Sequence, residues 1–141
     1  MARKPEQKLW DRMRKATDKA KIRLERIENA VSDGIPDVLA IARGGVVTFV
    51  ELKQIEAFPM RATTRLLPSG KGLRLSQRNW HLEWNRHEGR SLIVVGVGLQ
   101  TIYCVPGVFA DEINSMTEAR MRTFSVANGW QEVERYLRGY K

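Results

Sequence analysis

The chain reads as a single mixed α/β domain, and three observations predict it. Residues 38–42 (VLAIA) and 46–52 (VVTFVEL) are apolar runs separated by Arg43-Gly44-Gly45, the pattern of two antiparallel strands joined by a tight turn. Residues 5–20 place Leu9, Met13, Ala16 and Ala20 on one helical stripe, with Pro5 suited to the first turn. Residues 91–97 (SLIVVGV) are almost wholly apolar, as in a strand covered on both faces. At 141 residues the chain forms one domain, 1–141, large enough to bury a core without staples.

The other elements follow in order. Opposite its apolar stripe, the first helix carries Lys8, Arg12, Arg14, Lys15 and Lys19, a candidate phosphate-contacting face. Residues 22–28 (IRLERIE) alternate apolar and charged, as a half-buried strand does. Ser32-Asp33-Gly34 marks a turn. Residues 55–73, with Pro59, Pro68, Gly70 and Gly72, form a long polar stretch, and such loops are functional or mobile. Ser76 is the expected N-cap of a helix running to about Glu88, with Leu75 and Trp80 as a hydrophobic staple and Gly89 as the stop. Residues 100–105 suggest a further strand, 106–116 a short helix and 130–138 a C-terminal one.

Charge is unevenly distributed. The net charge is +8. Ten Lys/Arg against four Asp/Glu give residues 1–26 a net +6, and two against four give residues 27–54 a net −2. Residues 55–90 carry seven against three, a net +4, and residues 91–141 balance. An acidic segment flanked by basic ones suits a metal-holding hollow that attracts a polyanion; solvated helix faces on a basic protein are the alternative. No stretch approaches the roughly 20 apolar residues that span a bilayer. The charged N-terminus lacks an apolar signal region, so a cytoplasmic location is expected. The single cysteine, Cys104, leaves no internal disulfide framework or cysteine zinc site and is expected in the core.

The chemistry-bearing pattern is Pro36-Asp37, thirteen residues, then Glu51-Leu52-Lys53. Side chains i and i+2 of a strand share a face, so Glu51 and Lys53 project together. Register decides whether Asp37 joins them. A three-residue loop centred on Gly44 pairs Asp37 with Glu51, whereas a two-residue Gly44-Gly45 loop pairs Val38 with Glu51 and turns Asp37 away. Two carboxylates and an ammonium can hold a divalent metal and a water against a phosphodiester. Otherwise Asp37 is a turn residue and Glu51 and Lys53 an exposed pair at a sheet end.

These residues resemble the PD-(D/E)XK nuclease superfamily, in particular its VRR-NUC branch of small stand-alone, phage-type proteins. The resemblance runs from roughly residue 6 to 98. It rests on Arg26-Ile27-Glu28-Asn29, Gly34-Ile35-Pro36-Asp37, Phe49-Val50-Glu51-Leu52-Lys53, Phe58-Pro59-Met60-Arg61 and a helix start carrying Gln77 and Trp80. It implies the restriction-endonuclease-like αβββαβ core, a mixed sheet flanked by helices, here with an extra C-terminal strand and helices. It also implies Mg²⁺, with Mn²⁺ able to substitute, held by Asp37, Glu51 and the Leu52 carbonyl. Lys53 then orients or deprotonates the attacking water or stabilises transition-state charge. Gln77, at the first turn of its helix, falls close to the hollow, or else it merely caps or packs. The family adds an acid from the first helix; Glu6 is the candidate and Glu28 its rival.

Arg61, Arg65, Lys71 and Arg74 are placed to clamp DNA. His81 and His87, six apart on one helix, do not make a facing ligand pair. Trp80 and Trp84 are expected in the core rather than as base-stacking platforms. The implied activity is a Mg²⁺-dependent DNA endonuclease, a homodimer acting on branched DNA such as four-way junctions, in a host cytoplasm if phage-encoded. The alternatives are a non-catalytic nucleic-acid-binding module, or a nicking or flap-trimming nuclease within a replication or packaging assembly. The last segment, with Phe124, Trp130, Val133, Tyr136, Leu137 and Tyr140, either supplies dimer contacts or covers the sheet.

Overall fold

The computed structural model describes residues 5–27 and 34–140. Helix α1 (Pro5–Thr17) leads into three strands, β1 (Arg23–Arg26), β2 (Val38–Ala42) and β3 (Val46–Ile55). Helix α2 (Leu75–Arg86) crosses to β4 (Arg90–Val97), which turns back into β5 (Thr101–Pro106). Two 3-10 turns (Gly107–Phe109 and Ile113–Ser115), α3 (Glu118–Phe124) and α4 (Trp130–Leu137) complete the chain. The five strands lie in sequence order, antiparallel except for the parallel β3/β4 pair that α2 connects. This is the αβββαβ arrangement with one added strand.

The β2/β3 register answers the question left by the sequence. Val38 pairs with Val50 and Ala42 with Val46, so Arg43, Gly44 and Gly45 form a three-residue loop. Gly44 and Gly45 hold φ of 87° and 77°, backbone that favours glycine. Strand β3 runs to Ile55, beyond the expected residue 52, because Gln54 and Ile55 pair with Gly96 and Val97 on β4.

Each face of the sheet has its own core. Val38, Ala40, Val50, Leu52, Leu92, Val94 and Cys104 pack with Leu9 and Met13 of α1 and Val133 and Leu137 of α4. Cys104 is therefore the expected buried thiol, and α4 covers the sheet. On the other face Ile93, Val95, Tyr103 and Val105 meet Leu66, Leu67, Leu73, Ile113, Met116 and Met121. The long segment after β3 is consequently pinned by three leucines. Asn114 clamps it further, accepting from Leu73 N and donating to Leu73 O, both at 2.8 Å.

Several expected boundaries move. Helix α1 stops at Thr17, and a 3-10 turn delivers the chain to Lys21 in the left-handed region (φ 58°). Arg12 does not join the outward basic face, because its guanidinium donates to Leu99 O and Gln54 Oε1. The N-cap of α2 is Arg74 rather than Ser76, which lies inside the helix. Leu75 is 62 % exposed, so no staple forms. At the other end Glu88, not Gly89, takes the left-handed turn (φ 66°). Gly89 is required for closeness instead, since a Cβ there would strike the Trp84 indole. Residues 106–116 form two 3-10 turns rather than one helix, and α3 has no counterpart in the sequence reading. No helix among the described residues is long and apolar enough to cross a membrane.

Candidate active site

Asp37, Glu51, Lys53 and Gln77 converge at the end of the β2/β3 hairpin remote from its turn. Asp37 stands one residue before β2, where its carbonyl accepts from Ile27 N at 2.7 Å and extends the β1/β2 pairing. Gly34 (φ 94°) lets this segment lie against the first turn of α2, where a Cβ would sit 2.5 Å from Ser76 O. That close approach brings the Asp37 loop beside Gln77. Asp37 Oδ2 accepts a hydrogen bond from Leu52 N at 2.8 Å, tying the aspartate to the strand that carries Glu51 and Lys53.

Glu51 is 1 % exposed. Burial pushes its carboxyl up to about 9, helped by the Asp37 charge and a shared Asp37 hydrogen bond and opposed by Lys53. At neutral pH without a cation, Glu51 therefore holds a proton between the two carboxyls. Gln77 Nε2 lies 3.5 Å from Glu51 Oε2. Its Oε1 accepts from Lys53 Nζ at 3.4 Å and from Arg74 N at 2.9 Å. Gln77 thus both caps its helix and bridges Glu51 to Lys53, joining two roles the sequence left as alternatives.

Glu6, in the exposed first turn of α1, is the third acid near the hollow. Loss of solvent raises its pKa, Lys53 opposes the rise, and Asp37 adds to it. Both charges therefore act on Glu6 through space. Its rival Glu28 lies outside the described residues.

The sequence reading missed His81. It occupies α2 one turn after Gln77, is fully buried, and turns Nε2 toward Glu51 Oε1 at 3.6 Å. Neither atom has another hydrogen-bond partner among the described residues. Behind it, Asn85 Nδ2 donates to His81 O at 2.6 Å and to Ser91 Oγ at 2.9 Å. Ser91 Oγ lies 2.8 Å from His81 Nδ1. If the Ser91 hydroxyl, which accepts from Asn85, gives its hydrogen to Nδ1, the imidazole hydrogen sits on Nε2, facing Glu51. Burial drives the His81 pKa down to about 4, so the ring is neutral. The signal in the sequence is the i, i+4 spacing of Gln77 and His81, which puts both on one face of α2. His87 is exposed and only meets Glu83.

Trp80 and Trp84 stack on each other (centroids 5.2 Å) and meet Phe49 edge-on at 4.9 Å, half-buried beside the site. Arg61, Arg65, Lys71 and Arg74 are all exposed on the segment that the leucines pin. Arg65 and Arg74 line one groove with Asn114, and Lys71 is close enough to act on Glu6.

This geometry has relatives among solved structures. A structure described as a VRR_NUC domain superposes with a TM-score of 0.51 at 18 % identity, over 67 % of this chain and 87 % of that one. The chain shares the fold of that domain. It is the restriction-endonuclease-like fold expected from the motif residues. The Holliday junction resolvase Hjc of Archaeoglobus fulgidus aligns at 17 % identity over 73 % of this chain and 74 % of its own, with a TM-score of 0.48. No family model and no curated protein matches the chain.

Proposed function

We propose that the protein is a divalent-metal-dependent nuclease that hydrolyses DNA phosphodiester bonds. The observation that carries this reading is the buried Glu51 carboxyl against Asp37, with Lys53 held alongside by Gln77. A purely structural site gains nothing from forcing two carboxyls together and pushing one to about 9. Glu51 Oε1, without a hydrogen-bond partner among the described residues, would serve with Asp37 as a ligand to a cation held in place of the shared proton.

The donor set fits Mg²⁺ or Mn²⁺. Asp37, Glu51 and the Leu52 carbonyl offer hard oxygens and leave positions for water, as these ions require. When bound, such an ion neutralises phosphoryl charge and lowers the pKa of its water. The protein's own part is positional. Leu52 N fixes Asp37 Oδ2, His81 Nε2 faces Glu51 Oε1, and Gln77 holds Lys53. The Lys53 ammonium donates to the attacking water or to the phosphoryl oxygens. Glu6 at the rim is the candidate for a further water or ion contact.

Arg61, Arg65, Lys71 and Arg74 are assigned to the DNA backbone. Four cations on a pinned loop contact phosphates without reading bases. The substrate we assign is branched DNA, supported by the sequence resemblance, with a homodimer supplying two symmetric cuts. The dimer contacts do not come from Val133 and Leu137, which are spent inside the subunit core.

The test is cleavage of a labelled four-way junction and a matched linear duplex, in Mg²⁺ or EDTA, by wild type and Lys53→Ala. Metal-dependent cutting lost in the variant supports the nuclease, and preference for the junction supports the substrate. Equal binding without cutting in Mg²⁺ and Mn²⁺ would leave a nucleic-acid-binding module and sink the catalytic reading.

A further inference from the structure

A second cationic feature lies far from the carboxylates. Lys19, Lys21, Arg43, Arg138 and Tyr140 line a cavity of about 360 Å³ with no acidic residue in its wall. Three separate stretches of chain build it: the turn after α1, the β2/β3 loop and the end of α4. Among the described residues Lys19, Lys21 and Arg43 have no ion-pair partner, while Arg138 meets Glu134 at 2.7 Å. The side chains are exposed, so water screens much of their mutual repulsion and leaves the cations open to an anion. Lys21 adds backbone strain, since it holds a φ of 58° that lysine rarely adopts. Gly139 (φ 95°) turns the chain against Val46 and delivers Tyr140 to the rim, where Arg138 lies over the phenol ring at 5.4 Å.

Two independent rulers locate the cavity relative to the active site. Arg43 is six residues along β2 from Asp37, about 20 Å at roughly 3.3 Å per residue. Helix α1 starts beside the carboxylates at Glu6 and delivers Lys19 after about 20 Å of helical rise. Exposed Arg14 and Lys15 stand on the last turn of that helix, on the way to the cavity.

We infer that this cavity is a second phosphate-binding site, engaging a phosphate group on Lys19, Lys21, Arg43 and the Tyr140 hydroxyl. Two sources offer that chemistry: the DNA backbone about six nucleotide steps from the bond at the carboxylates, at about 3.4 Å per step, or free phosphate. Assignment to DNA rests on the nuclease reading, but phosphate binding itself does not.

The experiment is binding without cutting. Wild type, Lys19→Gln/Lys21→Gln/Arg43→Gln and the single variant Arg43→Gln are titrated in EDTA with labelled 20-base-pair and 6-base-pair duplexes at several salt concentrations. A parallel arm follows thermal unfolding with inorganic phosphate. For a DNA contact, the triple variant loses about 10-fold or more in affinity for the long duplex. Its log K against log salt slope falls by about 0.9, the change for one phosphate contact, and the short duplex changes little. For free phosphate, millimolar phosphate raises the wild-type unfolding temperature but not the variant's, and the DNA slopes coincide. Unchanged slopes together with unchanged phosphate stabilisation overturn the site. Arg43→Gln, on an exposed turn, carries the same comparison with a smaller loss of affinity and slope if the triple variant does not fold. Wild-type cleavage in Mg²⁺ is scored separately, so failure of the nuclease reading is distinguishable from failure of this one.

Discussion

The two faces of β3 solve opposite problems with alternate residues of one strand. Val50 and Leu52 point into the apolar core beneath α1 and α4. Phe49, Glu51 and Lys53 point toward α2, where the neighbours are Trp80, Gln77 and His81. The first face is almost wholly apolar, with the buried Thr48 hydroxyl left without a hydrogen-bond partner among the described residues. The other buries a carboxylate and answers it with Asp37, Gln77 and the Asn85–Ser91–His81 relay. The difference teaches that the apolar face supplies the stability against which the polar face can hold unfavourable charge. Buried charge is costly unless partnered, and in the proposed reading that partner would be a cation.

Substitutions should separate the two faces. On the α2 side, Glu51→Gln and Lys53→Ala should each lower metal-dependent cleavage by roughly 10²–10⁴-fold, with unchanged circular dichroism; retained activity in both would break the contrast. On the opposite side, Leu92→Ala opens a cavity beside Val50. It should cost about 2–5 kcal/mol in denaturant unfolding while folded protein cuts at a near-normal rate. His81→Ala removes a positioning residue. It should weaken Mn²⁺ binding by calorimetry about 10–100-fold, and His81→Gln, which keeps a donor, should recover part of that loss.

Gly107→Ala drives a Cβ into Ser91 Oγ, with His81 Nδ1 only 2.8 Å away. It should cost about 1–3 kcal/mol of stability and displace the relay, read as a change in the His81 ring chemical shifts. The gentlest contrast is in pH. Glu51 titrates near 9 when folded against an ordinary 4.5, so the folded state holds its proton more tightly. That stabilisation is complete below about pH 4.5 and is lost as pH rises through about 9. His81, neutral down to about 4 against an ordinary 6.5, opposes this below about pH 6.5, where stability rises with pH. Metal-free protein should therefore lose thermal stability mainly between about pH 6.5 and 9. Mg²⁺ should flatten that decline, and Glu51→Gln should remove the Glu51 share of it. A wild-type profile that rises across pH 6.5 to 9 would contradict the Glu51 assignment.

Much of this site was legible before the fold was known. Strand periodicity put Glu51 and Lys53 on one face, and the glycine turn offered two registers of which one admits Asp37. Helical spacing put Gln77 in the first turn of α2. His81 was not legible because its meaning lies in Ser91 and Glu51, on two strands distant in sequence. Arg12 was misplaced for a similar reason, since only the approach of Leu99 and Gln54 turns its guanidinium inward.

By itself the sequence determined the elements with strong local periodicity: α1, the β2/β3 hairpin, α2 and the apolar strand β4. It also determined which residue types could meet at the hairpin's end, because side-chain direction along a strand or helix is set by local geometry. The tertiary structure decided the register of the hairpin, the burial that pushes Glu51 to about 9, the His81 relay, and the gathering of Lys19, Lys21 and Arg43 around one cavity. These depend on distances between segments far apart in the chain. Burial and charge coupling are properties of that spatial neighbourhood, which no local pattern encodes.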